Sequence, residues 1–140
     1  MNFLKSFQIS SSGMLAQRKR MDVIASNLAN TETTHTKTGE PYRRKMVVMG
    51  TKPIETFDAI LNSQVEGAQI EAIVADQSPF REVYNPTHPD ANKEGYLRMP
   101  NVELIVEMTS MMMARKTFEA NLSAIKTTRQ MVLKALEIGR

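Results

Sequence analysis

Apolar residues recur along the last forty residues of the chain with a 4-3 spacing. Leu104, Met111, Phe118, Ile125 and Val132 lie seven apart, and Met108, Arg115, Leu122, Arg129 and Leu136 follow each of them by four. The two sets together predict the seam of a coiled coil. No Gly or Pro interrupts the stretch from Val102 to Ile138, so one helix of roughly 55 Å is expected at about 1.5 Å per residue. Asn101 stands where it could cap the start, with Glu103 in the first turn. Lys134 near the other end and Gly139 beyond it suit the negative end of the dipole and a stop. A helix this long needs a partner. Arg115 and Arg129 in the seam argue against a dry two-helix core, because a buried unpaired charge costs several kcal/mol. They are expected to snorkel, to pair with a carboxylate of another helix, or to face water.

Phe3 to Ala29 reads as a second helix with a thinner stripe. Phe7, Met14, Met21 and Leu28 keep a strict heptad, while the companion set Phe3, Ser10, Gln17 and Ile24 is only half apolar. Ser10-Ser11-Ser12-Gly13 weakens it, with Gly13 alone costing about 1 kcal/mol against Ala, so the first turns are not expected to hold in isolation. Gly13 either admits the close approach of a neighbouring backbone or marks a kink.

Between the helices the pattern changes. TETTHTKTGEP is a loop by its Thr, Gly and Pro content. Tyr42 to Met49 has strand composition, and Ala68, Ile70, Ala72 and Val74 alternate with Gln69 and Glu71 as a half-buried strand does. Phe57 to Leu61 suits a short helical turn, and Phe80 to Tyr84 and Tyr96 to Met99 are short strands around the turn-rich NPTHPDANKEG. The predicted fold class is α+β: an N-terminal helix over 1–30, a small β-rich module over 31–100 and a C-terminal helix over 101–140. The two helices form one discontinuous core.

Length and charge narrow the function. One hundred and forty residues suit one domain or a small domain with long helical arms. Without Cys there is neither a disulfide framework nor a thiolate metal site. The opening MNFLKSFQISSSG lacks the continuous apolar core of a secretory signal, and nowhere do eighteen apolar residues run together. The chain is expected not to span a membrane and, if exported, to travel uncleaved. Residues 1–53 carry nine Lys or Arg and three acids, residues 54–107 three and ten, and residues 108–140 six and two. The acidic middle and basic ends can meet between copies without any extra partner. Arg18-Lys19-Arg20 and Arg43-Arg44-Lys45 are the densest basic clusters, but no aromatic ladder accompanies them, so nucleic acid is not the expected partner.

Chemistry is absent from the pattern. His35 and His88 lie far apart in Thr- or Pro-flanked loops, with no second His or Cys at ligand spacing. No phosphate loop or nucleophile elbow occurs, and the acids of the middle read as a solvated face. No metal, cofactor or catalytic residue is expected.

Three blocks resemble a known family. SSGMLAQRKRMDVIASNLANTETTHTKTGEPYRRK, SPFREVYNPTHPDANKEGYLRMPNVELIVEM and ARKTFEANLSAIKTTRQMVLKALEIGR resemble the bacterial flagellar basal-body rod proteins of the rod and hook axial superfamily. SNLAN and the C-terminal EAN block are similar to features of the whole superfamily, whereas SPF…YNPTHPDA…GYLRMPNV, in so short a chain, resembles the proximal-rod branch. The resemblance implies a non-enzymatic part exported unfolded through the flagellar type III apparatus. Its terminal helices would pack in a multi-chain coiled-coil tube, its β part would lie outside, and the rod would carry motor torque across the periplasm. The implied partners are further copies, other proximal and distal rod proteins and the export-gate adaptor. The assembly contacts it implies are Gly13, Arg20, Ser26, Asn27, Leu28 and Asn30 in front, and Glu119, Ala120, Asn121, Lys134 and Leu136 behind. To these the heptads add Phe7, Met14, Met21 and Ile24, and the seam from Leu104 to Leu136. The rival reading is a soluble adaptor whose helices close into an intramolecular hairpin and whose acidic module binds a protein partner.

Overall fold

The computed structural model describes residues 3–53 and 66–138. It is an α+β fold in which α1 (Phe3–Ala29) and α2 (Leu104–Ile138) flank the strands β1 (Lys45–Pro53), β2 (Glu66–Ala75), β3 (Arg81–Tyr84) and β4 (Tyr96–Met99). The helical turn expected at Phe57 to Leu61 and the stop at Gly139 lie outside the described residues.

The two helices pack on each other antiparallel within the chain. Gly13 of α1 sits against the Asn121 side chain of α2, and Asn27 of α1 hydrogen-bonds Glu107 of α2. A Cβ on Gly13 would lie 3.0 Å from Asn121 Nδ2, so this glycine serves close approach inside the chain. The covered residues of α2 are Glu107, Ser110, Met111, Ala114, Phe118, Asn121, Leu122, Ile125, Thr128 and Val132.

That face corrects the predicted seam. Met111, Phe118, Ile125 and Val132 are covered as expected, but the second set follows the first by three residues. It is Glu107, Ala114, Asn121 and Thr128; of the predicted second set Leu122 is half-buried, while Met108, Arg115, Arg129 and Leu136 are exposed. Hydropathy hid the true set because its members are polar or small, and Ala114, with no exposed surface at all, lets the backbones approach. Leu104 and Met108 stay exposed on the other side. The seam arginines therefore pose no burial problem: Arg129 is exposed, and Arg115 pairs at 3.0 Å with Glu119 on the surface.

The helix ends also differ from expectation. Asn101 does not cap α2; its side chain accepts from the Arg44 N–H and donates to the carbonyls of Asp76 and Ser78. Glu103 supplies the first helical carbonyl, to the Glu107 N–H at 3.0 Å. The last turn of α2 holds no basic residue, so Lys134 falls short of it. At the end of α1, Asn30 Nδ2 donates to the Ser26 carbonyl and Thr31 Oγ1 to that of Leu28, adding side-chain bonds to carbonyls that already take the N–H groups of the same two residues.

β1 and β2 form an antiparallel ribbon from Lys45 opposite Ala75 to Pro53 opposite Glu66. The register slips between Val48, opposite Ala72, and Met49, opposite Ile70, leaving Glu71 as an extra residue. Such a bulge bends the ribbon and resets its alternation. The half-buried strand expected at Ala68 to Val74 is instead largely exposed, because in one chain the ribbon only rests along α1, where the Ala68 N–H donates to Ser12 Oγ. β3 and β4 make a second antiparallel hairpin with Tyr84 opposite Tyr96.

Candidate functional site

Among the described residues, the most heavily buried polar side chains lie where α1, the root of the ribbon and the start of α2 converge. Asn27 and Glu107 are each 1% exposed. Asn27 Nδ2 donates to the Lys45 carbonyl at 2.8 Å and to Glu107 Oε2 at 3.0 Å, while its Oδ1 accepts from Tyr42 Oη at 3.0 Å and the Lys45 N–H at 2.9 Å. All four hydrogen-bonding capacities of this amide are used. Its two bonds to Lys45 replace those a neighbouring strand would give the edge of β1.

Glu107 is the second hub. Its Oε1 accepts from Arg44 Nε at 2.7 Å, and the same guanidinium reaches Asp76 Oδ2 at 3.4 Å through Nη1. Burial disfavours the Arg44 charge most, but the hydrogen bonds and charges of Glu107 and Asp76 outweigh it and raise its pKa. The hydroxyl of Ser78 and then its N–H donate to Asp76 and, with Arg44, hold that carboxyl below the usual range. The backbones of Arg44 and Asp76 are also tied, the Asp76 N–H donating to the Arg44 carbonyl at 2.8 Å. The clamp ties α1, the root of β1, the segment after β2 and the start of α2 to one another.

This clamp corrects the reading of the middle acids as a solvated face, since Glu107 is buried and Asp76 half-buried. Tyr42, Arg44, Asp76 and Glu107 were not among the predicted contacts. The signal was a lone carboxylate on the inward spacing Glu107, Met111, Ala114, where an apolar residue is expected.

The predicted contact residues separate into two groups. Ile24 and Asn27 are buried; Phe7, Gly13, Met14, Arg20, Met21, Ser26, Leu28 and Asn30 of the first stretch, and Met111, Phe118, Asn121, Leu122, Ile125 and Val132 of α2, are half-buried. Leu104, Met108, Arg115, Glu119, Ala120, Arg129, Lys134 and Leu136 face out. The outward group has apolar neighbours the prediction passed over: Ile105 is 73% exposed, Met112 59% and Met113 63%, and on α1 Leu15 is 65% exposed. From Leu104 to Met113 the helix is apolar on nearly every side, yet only the side of Glu107, Ser110 and Met111 is covered. A helix apolar all round is a buried helix.

The histidines sit in loops, His88 Nδ1 accepting from the Asp90 N–H. Among the described residues, no group of three or more His, Cys, Asp or Glu could hold a metal ion, and no helix is long and apolar enough to cross a membrane.

Comparison with known proteins agrees with these helices. A family model described as flagella basal body rod protein matches residues 7–34, and one described as flagellar basal body rod FlgEFG protein C-terminal matches residues 93–138. The chain is 46% identical to the flagellar basal-body rod protein FlgC of Bacillus subtilis, with all of both chains covered. It is 39% identical to that of Buchnera aphidicola, with 99% of each covered, and 36% identical to that of Salmonella typhimurium over the whole of both.

Proposed function

The chain belongs to the FlgC family of flagellar basal-body rod proteins and is a structural component of the rod, and from that premise we propose how it assembles. The helical hairpin is the polymerising element. Its inner face is closed within each copy, and its outer faces, Leu104 to Met113 on α2 and the Leu15 side of α1, pack against neighbouring rod subunits in a multi-chain tube. The β module lies outside. In this reading the protein is not an enzyme, reaches the periplasm through the flagellar type III export apparatus, and carries torque through the tube. Its neighbours are further copies and other proximal and distal rod proteins.

The observation that carries this reading is the exposed apolar start of α2. Each Leu, Ile or Met there forgoes roughly 1.5–3 kcal/mol of burial until a neighbour covers it. The clamp serves the same end by fixing the ribbon to the hairpin, so that load on the tube does not shear one from the other. Replacing Met112 by Asp tests it. Rod incorporation is expected to be lost while urea unfolding of the free chain shifts by no more than about 0.5 kcal/mol. Normal incorporation of that variant would overturn the reading.

A further inference from the structure

The start of α2 gathers sulfur as well as apolar surface. Four of the chain's 11 methionines lie between Met108 and Met113, and no charged residue stands among them. Met108, Met112 and Met113 turn outward, 52%, 59% and 63% exposed, while Met111 is half-buried on the covered side. Leu or Ile would suit an apolar face equally well, but only Met brings a thioether that an oxidant can attack.

The other described methionines are less open. Met14, Met21 and Met99 are half-buried, and the Met99 sulfur also accepts from Arg81 Nη2 at 3.7 Å. Met46 and Met49 of β1 are each 37% exposed, and Met131 is 44% exposed. Oxidation follows exposure, so it falls first on the three outward sulfurs of the α2 start.

We propose that Met108, Met112 and Met113 form a reversible oxidation site that controls entry of the chain into the rod. The oxidant is a peroxide. With hydrogen peroxide, one oxygen passes to the thioether sulfur as the O–O bond breaks; the sulfur is oxidised by two electrons, and the other oxygen leaves with both protons as water. The sulfoxide is polar and accepts strongly. On the free chain water satisfies that acceptor, so the hairpin keeps its fold. Against an apolar neighbour the water is lost and the acceptor goes unpaired, which opposes assembly. Reversal takes a sulfoxide reductase, whose two thiols return two electrons and become a disulfide while the oxygen leaves as water. Those thiols belong to the reductase, since this chain has no Cys. A neighbour that covers the face also shields its sulfurs, so the site responds before assembly and not after. This rests on the rod reading above and adds a control to the face named there.

Graded hydrogen peroxide on the full chain tests it. Peptide mass spectrometry should find sulfoxide at Met108, Met112 and Met113 at least about threefold sooner than at Met14, Met21 and Met111, with the urea unfolding midpoint unchanged at that stage. The partly oxidised pool is then offered to growing rods. Chains with sulfoxide at the three positions are expected to be at least about tenfold depleted among those incorporated, and methionine sulfoxide reductase with a dithiol should restore their entry. A variant combining Met108→Leu, Met112→Leu and Met113→Leu, compared with its own untreated sample, should lose no incorporation to peroxide. Equal sulfoxide in incorporated and excluded wild-type chains overturns the proposal, whether or not the variant assembles, as does a variant that remains peroxide-sensitive. Untreated chains that enter rods alongside oxidised ones leave the rod reading standing and remove this site. Untreated chains that never enter rods remove the rod reading itself.

Discussion

Glu107 of α2 and Arg44 at the root of β1 meet through a 2.7 Å Nε–Oε1 bond with the carboxylate only 1% exposed. The carboxylate's other oxygen takes Asn27 of α1. One side chain thus joins both helices to the ribbon.

Replacing Glu107 by Ala leaves the Arg44 guanidinium and one Asn27 N–H without their partner. Loss of one member of a buried pair costs about 3–5 kcal/mol. The lower end is expected here, since Arg44 keeps Asp76 and some contact with water. Urea unfolding of Glu107→Ala should show that loss; a change below about 1 kcal/mol would mean that the clamp adds little to the fold.

Acid should weaken the same clamp. The folded Asp76 carboxyl titrates below its unfolded counterpart, held down first by Ser78 and then by Arg44. A depressed carboxyl contributes stability above its unfolded pKa of about 4 and loses it as pH falls through the folded value. The contribution should be level from neutral pH down to about 5 and fade below about 4, and Asp76→Asn should flatten that part of the profile. An unchanged acid limb in the variant would contradict the assignment.

The phase of the helix seam is testable by size. Ala114 has no exposed surface, so Ala114→Leu should overpack the hairpin and cost about 1–3 kcal/mol. Arg115→Ala, one position on, removes only a surface ion pair with Glu119 and should stay within about 1 kcal/mol. The seam as the hydropathy pattern predicted it makes position 115 the sensitive one, so reversed sensitivities in thermal melts would restore that phase.

Much of the fold was legible because long helices write their period many times over. α1 from Phe3 to Ala29 and the set Met111, Phe118, Ile125, Val132 could be read directly. The second set could not, because Glu107, Ala114, Asn121 and Thr128 are inward for reasons of size and hydrogen bonding that hydropathy does not encode. Asn101 looked like a cap because Asn before a helix usually is one; its amide is used by Arg44, Asp76 and Ser78 instead. The partners of Asn27 lie from fifteen to eighty residues away, a relation no local spacing reveals. The ribbon's strands were placed, although the first begins at Lys45 rather than Tyr42 and runs past Met49 to Pro53, and their burial was overestimated because alternation records a face to be covered and not when it is covered.

Since the chain has no native Cys, the start of α2 can be probed by one thiol. Met112→Cys places it on the outer face, where the native side chain is 59% exposed in the single chain. Labelling with a water-soluble maleimide, before and after assembly into rods, tests the central claim most directly. The account predicts rapid labelling of the free chain and strong protection in the rod, because a neighbouring subunit covers that face. Equal labelling in both states would contradict it.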